Sequence, residues 1–352
     1  MAEKVFLHIG APKSGTTFLQ TVLWDNRSAL RKAGVLVPGS TLFDMNRAAI
    51  AARTSNLGEG RVGRTWRRMA EASQRWKGTA VFSSEWICLT DEKLAARTVE
   101  QLAPDDVHVV YSARSFVTLV PAAWQETLKR GMPHSLDEFV AGLDAPRERW
   151  SWWTLDPAVA LERWERAVGA DHVHVVTLPP AGSPRALLFE RFAGLFGFDP
   201  AVCDTAVAQP NESLSVEAAE LIRRVAPRAR QEIDFASAHW SEEYRWLRRY
   251  LGHELLVPQP GHRIRLPDEV ADRLEERARQ SVATLRSRGY QVVGDLDELV
   301  GQPQAPAGRL PSDVTAQEML DLAVPVMATL LARVRDETLR AEAAEGQPPK
   351  EL

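Results

Sequence analysis

Cysteine is nearly missing from this chain: Cys88 and Cys203 are the two thiols among 352 residues. Two cysteines cannot build a disulfide framework and show no metal-ligand spacing, so a reducing compartment and two buried thiols are expected. Net charge is also scarce. Lys and Arg number 43 against 47 Asp and Glu, leaving −4, and the lack of a basic field argues against nucleic acid as a partner. No apolar run approaches the about 18 residues a transmembrane helix needs; the best, Leu320 to Leu331, contains Asp321 and Pro325. Met1 to Lys4 runs straight into the first apolar stretch, so no signal peptide, no membrane anchor and a cytoplasmic location are expected. No internal repeat or low-complexity tract is visible. What remains is 45% hydrophobic content, enough for the core of one large domain or two small ones.

One stretch organises the rest. Val5-Phe6-Leu7-His8-Ile9 is a mostly apolar run closed by Gly10, the pattern of a buried strand in a parallel sheet. From Thr16 to Lys32, Leu19, Val22, Leu23 and Leu30 recur at helical spacing, so a helix starts inside Gly15-Thr16-Thr17. Strand, glycine loop and helix in succession aim backbone N–H groups and the positive end of a helix dipole at one spot, where a phosphate-like anion binds. Gly10 and Gly15 are spaced as in the nucleotide-phosphate pattern G-x-x-x-x-G-K-[ST], but Thr16 fills the lysine slot and Lys13 lies inside the loop. From there Lys13 reaches an oxygen bridging two anionic groups. Triphosphate chemistry would want an acidic Mg²⁺ ligand at a neighbouring strand end; none is obvious, and such chemistry is disfavoured.

Further strands are expected at 35–37, 79–82, 107–112 and 173–178, each followed by a helical pattern, which makes the chain α/β with a parallel sheet covered on both faces. In such sheets reactive groups gather at the carboxyl ends of the strands. Glu85, after the strand at 79–82, is placed there to accept a proton, or else it begins a helix capped by Ser84. Arg114, after the strand at 107–112, offers a planar fork suited to a phosphate monoester, or ends the strand in a salt bridge. His8 competes with Glu85 as a base because histidine titrates near neutrality, although it lies inside the first strand. Arg149-Trp150-Ser151-Trp152-Trp153 lines an acceptor pocket or packs a core.

Pro12-Lys13-Ser14-Gly15-Thr16-Thr17 resembles the 5′-phosphosulfate loop of sulfotransferases that use 3′-phosphoadenosine 5′-phosphosulfate (PAPS). The resemblance implies a P-loop-type, three-layer fold with a central parallel sheet between helices. It implies a cofactor site of Pro12, Lys13, Ser14, Gly15, Thr16, Thr17 and Phe18, with Arg114 and Ser115 at the 3′-phosphate. Lys13 would stabilise the leaving phosphate, and Glu85, or His8, would act as the catalytic base. The family pairs the strand-end arginine with a serine eight residues later; here that position is Ala122, and Ser115 or Ser83 is expected to substitute. The implied activity is sulfonate transfer from PAPS to a hydroxyl of a small-molecule acceptor, without a metal. Trp124-Gln125-Glu126 and Asn211-Glu212-Ser213-Leu214 also resemble family segments. Two other readings stand beside this one: an atypical P-loop kinase, and a non-catalytic nucleotide-binding scaffold.

In layout the α/β domain is expected over 1–300, with the pattern helical from Ser215 to about Leu299. Pro303, Pro306 and Pro311 mark a linker at 301–311. A helical appendage follows at 312–345, a candidate for homo-oligomer contacts, and then a disordered tail at 346–352.

Overall fold

A computed structural model describes residues 3–54, 60–102, 106–206, 213–235, 240–304 and 307–344. The chain is α/β. Six parallel strands, β1 (Lys4–Gly10), β2 (Val35–Leu36), β3 (Thr79–Ser83), β4 (Val107–Ala113), β5 (Val173–Thr177) and β6 (Gln291–Val293), form one sheet in the order β2-β3-β1-β4-β5-β6. β1 is central, with Phe6 beside Val81 of β3 on one side and beside His108 of β4 on the other. The strands read as near-continuous apolar runs because both faces are covered. Leu7, Ile9, Val81, Phe82, Val109, Val110, Val175 and Val176 are all fully buried. Leu19, Val22 and Leu23 from the helix Thr16–Asp25, Leu161 and Trp164 from Pro157–Val168, and Phe189 and Phe192 from Ala186–Gly194 belong to the same core. Each such side chain stabilises the fold by about 1.5 to 3 kcal/mol relative to exposure.

The chain forms two compact units. The first comprises residues 1–123, 140–211 and 268–303 and contains the whole sheet. The second comprises 124–139, 212–267 and 304–352. Its elements include the helix Val216–Glu232, a π-helical stretch Tyr244–Leu256 and the long helix Ala316–Ala344. Within it Val216, Val314 and Met319 form a small core with Leu221 and Ile264 against them, and Ile264 pairs with Arg309 in a parallel bridge. Along the long helix Leu320, Val324, Met327, Leu331 and Val334 are exposed.

Two expectations change. The helix expected from Thr16 to Lys32 breaks at Asn26, whose side-chain amide turns back to the carbonyls of Val22 and Asp204, so that Arg27–Lys32 starts anew. The stretch 215–299, expected to be helical, contains β6, a three-residue edge strand too short for its own alternation to show. Within the stretch 1–300, residues 124–139 and 212–267 group with the carboxyl-terminal helix. The expected tail at 346–352, and Asn211 and Glu212, lie outside the described residues. No helix among the described residues is long and apolar enough to cross a membrane.

Candidate active site

The strand order reverses at β1, which lies between β3 and β4, and in an open parallel sheet such a switch point opens a crevice at the carboxyl ends of the strands. The segments that leave β1, β3 and β4 at that edge carry Lys13, Glu85 and Arg114. All three belong to the first unit.

After β1 the chain turns tightly. Ala11 N–H donates to the Ser112 carbonyl at 2.9 Å, and both the amide and the hydroxyl of Ser14 donate to the Ala11 carbonyl. Lys13 and Gly15 adopt left-handed backbone, with φ of +64° and +78°. Glycine suits the second position, because L side chains rarely adopt that φ and a Cβ there would push Leu188 Cδ2 aside from 2.4 Å. Gly15 is the N-cap of Thr16–Asp25, and neither a side-chain cap nor an acidic residue occupies the first turn. The dipole of a ten-residue helix therefore opens onto the loop without a built-in counter-charge. Ser14 is fully buried and its hydroxyl is spent within the loop; Pro12 and Thr16 are buried, Lys13 is half-buried and Thr17 is exposed. Phe18 is buried, with the Arg185 guanidinium 4.7 Å from its ring centroid.

His8 does not reach the crevice. It is fully buried, its Nδ1 2.7 Å from Ser83 Oγ and its Nε2 2.8 Å from Ser112 Oγ, so both ring nitrogens are engaged across the two neighbouring strands. Burial pushes its pKa down to about 3, with the Gly10 backbone pulling weakly the other way. A histidine that stays neutral and has both nitrogens occupied ties β3, β1 and β4 together and is not placed to take a proton from a substrate. The same pairing removes Ser83 as a substitute for the missing serine.

Glu85 opens a short 3₁₀ turn, Glu85–Leu89, directly after β3. It is half-buried, and its Oε2 accepts from Gln20 Nε2 at 2.7 Å, a residue on the first turns of Thr16–Asp25. The loop's own helix thus orients the carboxylate. Arg163 anchors the turn from behind, donating to the carbonyls of Cys88 at 2.8 Å and Trp153 at 2.9 Å, with the Trp153 ring 3.6 Å from its guanidinium. Trp86, next to Glu85, meets Trp150 edge-on at 6.1 Å, and Arg149 lies 4.0 Å from the Trp86 ring. Trp152 instead packs on Phe116 at 4.9 Å, so the indole run splits between a wall beside Glu85 and core.

Arg114 is held on both sides. Its Nη1 donates to the Lys13 carbonyl at 2.8 Å and its Nε to Thr118 Oγ1 at 3.0 Å. Burial lowers its pKa to about 10, leaving it cationic at neutral pH. Beside it Ser115 Oγ is buried and makes no hydrogen bond among the described residues. Arg114 lines a narrow crevice whose other walls include Phe116, Pro157 and Ser281. A cavity of about 590 Å³ lies elsewhere, lined by Glu92, Arg147, Trp153, Glu162 and Arg166, and takes in none of the loop, Glu85 or Arg114. Gln125 and Glu126, in a segment that resembles the family, are engaged within the second unit: Gln125 Oε1 accepts from Leu214 N–H at 2.9 Å and buried Glu126 pairs with Arg248.

Sequence reading missed Gln20 and Thr118. Each follows a motif residue by one helical turn, Gln20 four after Thr16 and Thr118 four after Arg114, which is the available signal.

A crystal structure of a sulfotransferase from Alicyclobacillus acidocaldarius is similar to this chain, with 17% identity and a TM-score of 0.40 over 72% of this chain and 97% of that one. No family model and no curated protein matches the chain. A likeness of that size carries no weight for function.

Proposed function

We propose that the chain transfers a sulfonate group from PAPS to a hydroxyl of a small-molecule acceptor. The observation that carries this reading is the convergence of Lys13, Glu85 and Arg114 at the carboxyl ends of three adjacent parallel strands, with Arg114 bonded to the Lys13 carbonyl and Glu85 to the helix that follows the loop. The uncapped first turn of Thr16–Asp25 suits the 5′-phosphosulfate. Arg114 and the Ser115 hydroxyl, which makes no hydrogen bond among the described residues, suit the 3′-phosphate, with Ser115 in the part the family gives to the position of Ala122.

In this reading Glu85 takes the proton of the acceptor hydroxyl as its oxygen bonds to sulfur. The bond from sulfur to the bridging phosphate oxygen breaks on the opposite side, and charge grows on that oxygen. Lys13 and the loop amides stabilise that charge, the role for which the left-handed backbone at Lys13 and Gly15 holds them ready. The Trp86 and Trp150 indoles beside Glu85 suit a ring-bearing acceptor.

Calorimetry decides between this reading and the kinase. Adenosine 3′,5′-bisphosphate should bind more tightly than Mg-ATP, and the reverse order would overturn the proposal.

A further inference from the structure

At the opposite edge of the sheet, the amino ends of β4 and β5, a second group of titratable side chains comes together. Asp106 and His108 are two apart at the start of β4, and His172 and His174 are two apart at the start of β5, so each pair lies on one face of its strand. β4 and β5 are adjacent and parallel, with Val110 beside His174, and this brings the two pairs side by side. His172 Nε2 is 2.9 Å and His108 Nε2 3.0 Å from the same oxygen, Asp106 Oδ1. One nitrogen from each histidine and one oxygen of the aspartate all lie within 4.8 Å of one another.

The His108 contact is not an ordinary hydrogen bond. Among the described residues its buried Nε2 makes no aligned hydrogen bond, although it lies 3.0 Å from the carboxylate, whereas buried polar atoms in folded proteins are nearly always paired. Its other nitrogen is engaged, Nδ1 lying 2.8 Å from His174 Nε2, and Phe6 stacks on the ring at 4.8 Å. An imidazole fixed through one nitrogen and presenting the other is how metal-ligating histidines are held. We propose that Asp106, His108 and His172 form a divalent-metal site, with His174 as the positioning residue behind His108. Two imidazoles and one carboxylate suit Zn²⁺ or a similar borderline ion, with a fourth position left for water or an external ligand. His172 and Asp106 are partly exposed, giving an ion a way in, and the competing cation, Lys4 at 3.8 Å from Asp106, is half-exposed and free to turn to solvent. The site lies at the far end of β1 and β4 from Lys13 and Arg114, so its test is independent of the proposed transfer reaction.

The test uses the full chain without a histidine tag, stripped with a chelator and titrated with Zn²⁺ by calorimetry and with Co²⁺ by visible absorption. One Zn²⁺ per chain and the d–d bands of four-coordinate Co²⁺ are expected. His172→Ala, at a partly exposed position, and Asp106→Asn, which keeps the side-chain shape, should each weaken Zn²⁺ by about 100-fold or more, while both variants retain the circular dichroism of the parent. Absence of binding by the parent chain, or parental affinity in either variant, would overturn the site.

Discussion

Arg114 Nη1 donates to the carbonyl oxygen of Lys13 at 2.8 Å, across 101 residues of sequence. The bond makes the strand-end arginine a strut of the loop after β1, besides the 3′-phosphate ligand proposed for it. Arg114→Ala should therefore act twice. It should weaken adenosine 3′,5′-bisphosphate by about 10- to 100-fold, the worth of a charge-assisted hydrogen bond. It should also weaken adenosine 5′-monophosphate, by a smaller factor, because the loop loses its tether. Calorimetry with both nucleotides checks this; equal losses would leave Arg114 as a strut alone, and no loss of either would remove it from the site.

Glu85 and Gln20 should separate by their effects on rate. Glu85→Gln keeps shape and removes the proton acceptor, and should lower turnover by about 10²- to 10⁴-fold with bisphosphate affinity nearly unchanged. Gln20→Leu removes the 2.7 Å bond that orients the carboxylate and should cost less, about tenfold in turnover. If the Gln20 variant proved as slow as the Glu85 variant, orientation rather than proton transfer would carry the Glu85 effect.

The loop, the strand ends and the first five strands could be read from residue pattern, because short apolar runs followed by helical periodicity depend on local sequence alone. What could not be read depends on pairing. Nothing in the order of residues puts Ser83 and Ser112 on the two ring nitrogens of His8; that needs β1 between β3 and β4 in register. The same holds for the histidines of β4 and β5, which look unremarkable until the strands are adjacent. β6 was hidden for another reason: three residues at a sheet edge carry too little periodicity to outweigh the helix before them. The division of the chain at Trp124 falls inside one continuous helix, Phe116–Lys129, and so leaves no turn signal.

His8 makes acid stability testable. Its ordinary pKa is 6.5, and burial first, against a small opposing effect of the Gly10 backbone, lowers it to about 3 in the fold. Above pH 6.5 both folded and unfolded chains hold it neutral, and the stability is fully present. As pH falls below 6.5 the unfolded chain binds a proton that the folded chain refuses, so stability is lost, by up to about 1.36 kcal/mol per pH unit, until the pH reaches about 3. His8→Asn should be less stable than the parent at pH 7.5 but lose stability less steeply between pH 6.5 and 4.5. Urea midpoints across that range check the prediction. Parallel curves would mean that His8 takes up its proton in the folded state.

Ser115 offers the sharpest separation of ligand binding from stability. Its hydroxyl is buried without a hydrogen bond among the described residues, a cost of about 1 to 3 kcal/mol that a ligand oxygen would relieve. Ser115→Ala removes the hydroxyl and little volume, so the free protein should melt at the same temperature or a few degrees higher. The same variant should bind adenosine 3′,5′-bisphosphate about tenfold more weakly and adenosine 5′-monophosphate as before, since only the 3′-phosphate is assigned to this corner. Thr118→Val is the contrast. Its hydroxyl accepts from Arg114 Nε at 3.0 Å and donates to the Ser115 carbonyl, so its loss should lower both the melting temperature and the bisphosphate affinity. If Ser115→Ala left the bisphosphate affinity unchanged, the unpaired hydroxyl would not be a ligand, and Arg114 would hold the 3′-phosphate without it.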